Sequence, residues 1–190
     1  MEYLKKGIKV GIREMTAEDC ADIVRWRNTE KVRSHYVYRE EFTLETEKKY
    51  FEDQVLTGKV FQYIICELDR DGRAIGSAVF KDYRPEERQI EYGLFIGEED
   101  TDGKGLGKEA SQLCIAMAFE KFDVDRVLGR IFHDNIASLV SHIRIGMFPC
   151  GYIKDVQCTD GEVKDMVLVA AEKERFTALM KAAERTDKDR

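Results

Sequence analysis

The densest chemistry in this chain lies at Asp102-Gly103-Lys104-Gly105-Leu106-Gly107-Lys108, where three glycines fall at every second position just ahead of a helical pattern. Without a Cβ, glycine lets backbone N–H groups approach a ligand closely, and the first turn of a helix adds unpaired donors and the positive end of its dipole. That combination cradles a pyrophosphate, and Lys104 and Lys108 add local positive charge. The G-x-G-x-G spacing fits neither the dinucleotide-binding fingerprint nor the Walker motif. A flexible glycine-rich entry to a helix is the plainer alternative. Histidines are few, at 35, 133 and 142, and one carboxylate, Glu91, sits inside a strand-like run.

Holding the glycine loop in place requires a strand before it and a helix after it. Residues 89–96 (QIEYGLFI) read as the strand, and Leu106, Ala110, Leu113, Cys114, Met117 and Ala118 form the apolar stripe of a helix from 105 to 122. A strand over 126–132 follows, so the three elements form a crossover unit whose strands should be parallel neighbours. Upstream, 61–68 and 74–82 join 89–96 in an antiparallel meander turned at Asp71-Gly72 and Arg84-Pro85. Ile8, Val10 and Ile12 alternate along an opening strand over 8–13. Thr16 and Asp19 have capping-box spacing, and Ala17, Cys20, Ala21 and Val24 then recur helically toward Asn28. Trp26 falls opposite that stripe, so either a second layer covers it or it faces a cleft. Thr43 begins another helix, with Leu44, Phe51 and Val55 on its apolar face, ending near Thr57-Gly58. A helix at 136–145 and strands at 152–158 and 163–170, turned at Asp160-Gly161, complete the order βααβββαβαββ. The expectation is an α/β (α+β) fold with a mixed, mostly antiparallel seven-stranded sheet flanked by helices. One domain covers 1–172, and 173–190 read as a charged helix or tail.

Composition narrows the function. The chain has 190 residues, 36% of them charged, and carries a net charge of −6 without blocks of like charge, which argues against a nucleic-acid or anionic-membrane binder. Five scattered cysteines without Cys-x-x-Cys spacing indicate neither a disulfide framework nor a zinc site, and no metal is expected. The opening MEYLKKGIKV lacks the apolar run of a signal peptide, so a cytoplasmic location is expected.

Over roughly residues 8–172 the sequence resembles the GNAT N-acetyltransferase superfamily, whose acyl-CoA motif is Gln/Arg-x-x-Gly-x-Gly/Ala. Gly105 and Gly107 match it, while Asp102 stands where the family has Gln or Arg; the resemblance implies a pyrophosphate held mainly by backbone N–H groups, which Asp102 does not remove. Asn135-Ile136-Ala137-Ser138 and Gly146-Met147 are similar to a second family block. The RimJ/RimL-type branch and the amino-sugar-nucleotide acetyltransferases are resembled through Trp26-Arg27-Asn28, Val32-Arg33, Tyr50-Phe51, Glu91-Tyr92-Gly93 and Asp165-Met166-Val167-Leu168. The resemblance implies that acetyl-CoA enters a V-shaped opening where strands 89–96 and 126–132 splay apart. Leu94, Phe95 and Ile96 would hold its pantetheine arm, Gly103 to Lys108 its pyrophosphate, and Asn135 and Ser138 the arm near the helix start.

Direct attack by an amine needs a proton acceptor, and the departing thiolate benefits from a donor. Glu91, desolvated within a central strand, is the first candidate base, and His133, just after strand 126–132, its rival. For Glu91 a solvated or substrate-orienting carboxylate is the alternative. His142 occupies the position of a family tyrosine that serves as acid; a packed helix-face histidine is the alternative, and Ser138, one turn earlier, could donate instead. Asn135 is sufficiently explained as a helix cap. For the acceptor, Trp26 could stack on a ring, Arg27 pair with a phosphate or carboxylate, Asn28 bind alongside, and His35 and Tyr36 close over the site. The reading is acetyl transfer from acetyl-CoA to a primary amine of a small molecule, an amino-sugar nucleotide in its finer form. A RimJ/RimL-like protein N-terminal acetyltransferase and a non-catalytic acyl-CoA-binding module are the alternatives. A homodimer is possible for such a chain.

Overall fold

Among the described residues the chain forms eight strands, the central ones from alternating apolar residues: β1 (Lys5–Lys6), β2 (Val10–Glu14), β3 (Phe61–Glu67), β4 (Arg73–Arg84), β5 (Gln89–Ile96), β6 (Arg126–Phe132), β7 (Phe148–Gln157) and β8 (Val163–Glu172). The helices are α1 (Cys20–Arg27), α2 (Glu30–Arg33), α3 (Leu44–Tyr50), α4 (Leu106–Lys121), α5 (Ile136–Arg144) and α6 (Lys173–Lys188). The structure is a computed structural model and describes residues 2–188. All eight strands join one sheet in the order β1-β2-β3-β4-β5-β6-β8-β7, with β5 and β6 its parallel pair. The seven-strand expectation is therefore one short. The added strand, β1, has two residues, paired with Ile12 and Gly11, and is too brief to leave a periodic signal.

Side chains that alternate along the central strands sort into two cores. On one face Tyr63, Ile65, Ala78, Phe80, Ile90 and Tyr92 pack under Leu106, Ala110, Cys114, Met117 and Ala118 of α4. On the other, Ile64 and Cys66 lie beneath Cys20, Ile23, Trp26 and Phe51. Burying each large aliphatic or aromatic side chain of this kind contributes ~1.5–3 kcal/mol, so α4 and the α1–α3 pair are fixed to opposite faces. Phe176 of α6 is buried in the first core against Phe119, with ring centroids 5.9 Å apart, which places α6 on the fold. Residues 189 and 190 of the expected charged helix or tail lie outside the described residues.

Local chemistry sets the ends of α1 and α3. Thr16 N–H donates to the Asp19 carboxylate at 2.8 Å, and a 3-10 turn over Ala17–Asp19 precedes α1, where the sequence pattern had suggested one continuous helix. Thr43 and Thr46 form the reciprocal cap of α3. The apolar face expected through Leu44 is displaced: Leu44 is exposed, and Glu47, four residues before the buried Phe51, takes the inward position. All five cysteines are free, Cys150 on the surface and the other four buried. Among the described residues, no helix is long and apolar enough to cross a membrane.

Candidate active site

The sheet opens where β5 and β6 part. Their pairing covers Gln89–Arg126, Ile90–Val127 and Glu91–Leu128 only, while β4 follows β5 out to Ile96 and β8 follows β6 out to Phe132. Two backbone bonds fix which groups face the opening. The Arg88 carbonyl accepts from Asp125 N–H at 2.7 Å, toward β6, and Gly97 N–H donates to the Ile75 carbonyl at 2.8 Å, toward β4. Peptide groups alternate sides along a strand, so those of Leu94 and Ile96 face the gap and those of Phe95 face β4. Of the three strand residues expected to hold the pantetheine arm, Leu94 and Ile96 therefore offer backbone groups, and Phe95 instead offers its ring on one face of the sheet. At Gly76 a Cβ would collide with the Phe95 carbonyl, which explains glycine at this close approach.

The glycine loop enters α4 beside that gap. Gly103 and Gly105 have φ of +75° and +78°, the left-handed region that glycine adopts without strain, and Gly105 is the N-cap. No side chain caps this helix, and its first internal bond runs from Glu109 N–H to the Gly105 carbonyl. The N–H groups of Leu106, Gly107 and Lys108 thus have no partner within the helix. Asp102 pairs with Lys31 at 2.7 Å, so its charge is balanced, and these donors stay open. Lys104 lies 3.6 Å from Glu67, while Lys108 is exposed. Open donors, positive-φ glycines and an unpaired strand edge fit a coenzyme A molecule.

A cavity of about 500 Å³ lies on the sheet face opposite α4. Ser77, Val79 and Lys81 of β4 and Phe95 of β5 form its floor, and Ile23, Arg27, Tyr36, Phe42, Glu47 and Tyr50 its walls. Arg27 is buried, its guanidinium 3.6 Å from the centre of the Tyr36 ring and 4.7 Å from that of Phe42. Glu47 is 3% exposed, and its carboxylate has no hydrogen bond or ion pair among the described residues. Burial pushes its carboxyl up to about 7, against the opposing pull of Arg27. Spacing carries a signal for this residue, since Glu47 interrupts the helical face of Phe51, but a pattern built on apolar residues leaves a carboxylate out.

The other expected site residues are placed variously. Trp26 is fully buried, its indole N–H donating to Glu98 at 2.8 Å and its ring edge-on to Phe95, so stacking on an acceptor is corrected to a structural role. Gly97 has no Cβ because one would strike that indole. Asn28 uses both ends of its amide on Phe42, donating to the carbonyl and accepting from the N–H, each at 2.8 Å; it pins the loop. Glu91, the first candidate base, is paired on both oxygens: Arg130 lies 2.5 Å from one and Lys81 3.3 Å from the other. His133 is exposed against Tyr152 and does not line the cavity. His35 reaches Asn135 at 3.3 Å, and Asn135 caps α5 by accepting from Ser138 N–H at 3.1 Å.

His142 needs a correction as well. Its Nδ1 lies 2.7 Å from the Ser138 carbonyl, so Nδ1 carries the proton and donates it within α5. Burial holds the imidazole below its usual range, and the neutral ring then presents a bare Nε2, an acceptor. The expected acid has no N–H left to give. Ser138 Oγ lies one turn away, 3.3 Å from the same Nδ1.

A family model described as an acetyltransferase (GNAT) domain matches residues 9–147. The chain belongs to the GNAT acetyltransferases. Acetyl-CoA is accordingly the acyl donor. Solved GNAT structures share the fold. Spermidine N-acetyltransferase from Vibrio cholerae, in complex with CoA and spermine, has a TM-score of 0.81 at 11% identity over 89% of this chain and 98% of its own. RimL, a ribosomal L7/L12 alpha-N-protein acetyltransferase in complex with coenzyme A, gives 0.78 at 16%, covering 90% and 98%. A GNAT-family acetyltransferase from Bacillus anthracis gives 0.75 at 21%, covering 89% and 98%. Comparison with curated proteins gave no match. Among the described residues, no cluster of His, Cys, Asp and Glu could hold a metal ion.

Proposed function

We propose that this GNAT chain acetylates a primary amine of a small molecule by direct attack in a ternary complex. One observation carries the reading: the gap between β5 and β6 has open backbone groups on its edge, and a half-open cavity meets β5 at Phe95 on the face away from α4. Donor and acceptor thus have separate approaches to one strand. Within the gap, an N–H of Leu94 or Ile96 would stabilise negative charge developing on the thioester oxygen, an effect commonly worth ~3 kcal/mol. Ser138 Oγ–H, unlike His142, retains a hydrogen with which to hydrogen-bond the leaving thiolate.

The amino-sugar nucleotide suggested by resemblance finds support here in its amine more than in its diphosphate. Of the cavity's cations, Lys81 pairs with Glu91, whereas among the described residues Arg27 stacks against Tyr36 and Phe42 without a carboxylate partner, its buried Nε unpaired. Glu47 is its buried carboxylate without an ion pair among those residues. Thiol release from acetyl-CoA across a panel of small amines, peptides with free N-termini and amino-sugar nucleotides tests this function. Turnover on a small amine is the expected result; turnover on peptides alone, or CoA binding without any turnover, overturns it.

A further inference from the structure

Burying an ionisable carboxylate with no donor to satisfy it is costly, and folded chains seldom retain such a group without a use for it. Glu47 is such a group. It is held inward by the Thr43 cap at one end of α3 and by buried Phe51 at the other, and it faces a cavity rather than a partner. Among the described residues no cation reaches its carboxylate within ion-pair distance, although Arg27 in the same cavity also lacks a carboxylate partner and has an unpaired Nε. From α1, Arg27 is the nearest, but it is stacked on Tyr36 and Phe42 and lies beyond ion-pair distance; Cys20 is a buried thiol. Tyr50 flanks Glu47 on its own helix, Tyr36, Tyr38 and Glu41 close the cavity from the loop, and Lys81 rises from β4 already paired with Glu91. The walls themselves are chiefly aromatic and aliphatic.

We infer that Glu47 receives the acceptor's ammonium group and takes its proton, in a cavity that selects a primary amine carried on an apolar or aromatic body. This rests on the acetyl-transfer reading for its chemical step only. The ammonium gives one proton to the Glu47 carboxylate. The free amine forms the N–C bond to the thioester carbon, the C–S bond breaks, and the CoA thiolate leaves with that bond's electron pair. The thiolate is then neutralised by the second proton of the acylated nitrogen, and Glu47 returns its proton to solvent. Ground-state recognition and proton removal would thus be performed by one side chain, and the ring-lined walls would bury the rest of the acceptor.

The test uses phenethylamine and its uncharged counterpart 2-phenylethanol, titrated calorimetrically into the CoA-loaded full chain at pH 6, 7 and 8. The wild type should bind the amine at least about tenfold more tightly than the alcohol at pH 8, with the preference shrinking toward pH 6 as Glu47 takes up a proton. Glu47→Gln should abolish both the preference and its pH dependence while leaving CoA and alcohol affinities unchanged, and Glu47→Asp should restore part of the preference. A preference that survives in Glu47→Gln, or none in the wild type, overturns the inference. Acetyl-CoA turnover on phenethylamine is the second arm. Glu47-dependent binding without turnover would uphold the amine site and overturn the acetyl-transfer reading, whereas turnover untouched by Glu47→Gln would uphold transfer and overturn the role of Glu47.

Discussion

Replacing Glu47 by Gln should make the protein more stable at alkaline pH, and the amount follows from the carboxyl's environment. In the unfolded chain this group titrates near its ordinary value of 4.5; in the fold, burial moves it to about 7. A carboxyl raised on folding penalises the native state when it ionises. The penalty is absent below 4.5, grows as pH rises from 4.5 to 7, and is fully present above 7. The full gap is worth about 3 kcal/mol at 1.36 kcal/mol per pH unit, and the part falling between pH 5 and pH 8 is about 2.5 kcal/mol. Glutamine removes the titration but brings a buried amide, so the decisive quantity is the change in the stability difference between the two pH values. Urea unfolding of both proteins at pH 5 and pH 8 measures it. A domain of this size shifts its Tm by about 2–4 °C per kcal/mol, so melting curves should separate by several degrees more at pH 8 than at pH 5. A constant difference across this range would show that the carboxylate is solvated or paired, and the argument for an uncompensated charge in the cavity would fail.

Three further outcomes follow from other parts of the site. Gly105→Ala should cost about 1–2 kcal/mol, because a Cβ meets no neighbour there but the left-handed backbone penalises it, and CoA affinity should drop with it; thermal melts and CoA titration report the two effects. Gly97→Ala drives a methyl into the Trp26 indole and should destabilise by about 1–3 kcal/mol in urea unfolding, with altered Trp fluorescence in the native state. Nitrogen-15 spectra should show His142 as the Nδ1-protonated neutral tautomer at pH 7, with its titration midpoint below 6.5; stability linked to the neutral ring is then lost as pH falls below 6.5, and a midpoint above that value would refute the burial argument.

The sheet strands and α4 were legible because their apolar residues repeat at periods of 2 and 3.6, and the glycine loop because positive φ leaves a compositional trace at Gly103 and Gly105. Trp26 and Glu47 show where that legibility ends. The α1 stripe places Trp26 outside the helix's own apolar face, yet β5 and the Gly97 turn cover it, a contact between residues 71 apart that no local period records. Glu47 follows helical spacing but not polarity, and a pattern built from apolar residues passes over a carboxylate in their place. Glu91 has the converse history. Its position in a central strand is legible from the strand's own pattern, but its partners Lys81 and Arg130 come from the two adjacent strands, and register between strands cannot be read from one of them alone.

The short parallel seam has a mechanical consequence. Three residue pairs join β5 to β6, whereas β4 and β5 share a ladder more than twice as long, and so do β6 and β8. The sheet is therefore two stiff leaves bound along a short spine, with α4 as the strap across it. A donor molecule lying between Leu94 and the free edge of β6 would supply missing rungs of that spine. Occupancy would then slow amide hydrogen exchange at residues of both leaves, including positions the donor never touches, because prying the leaves apart is the opening motion that exposes them.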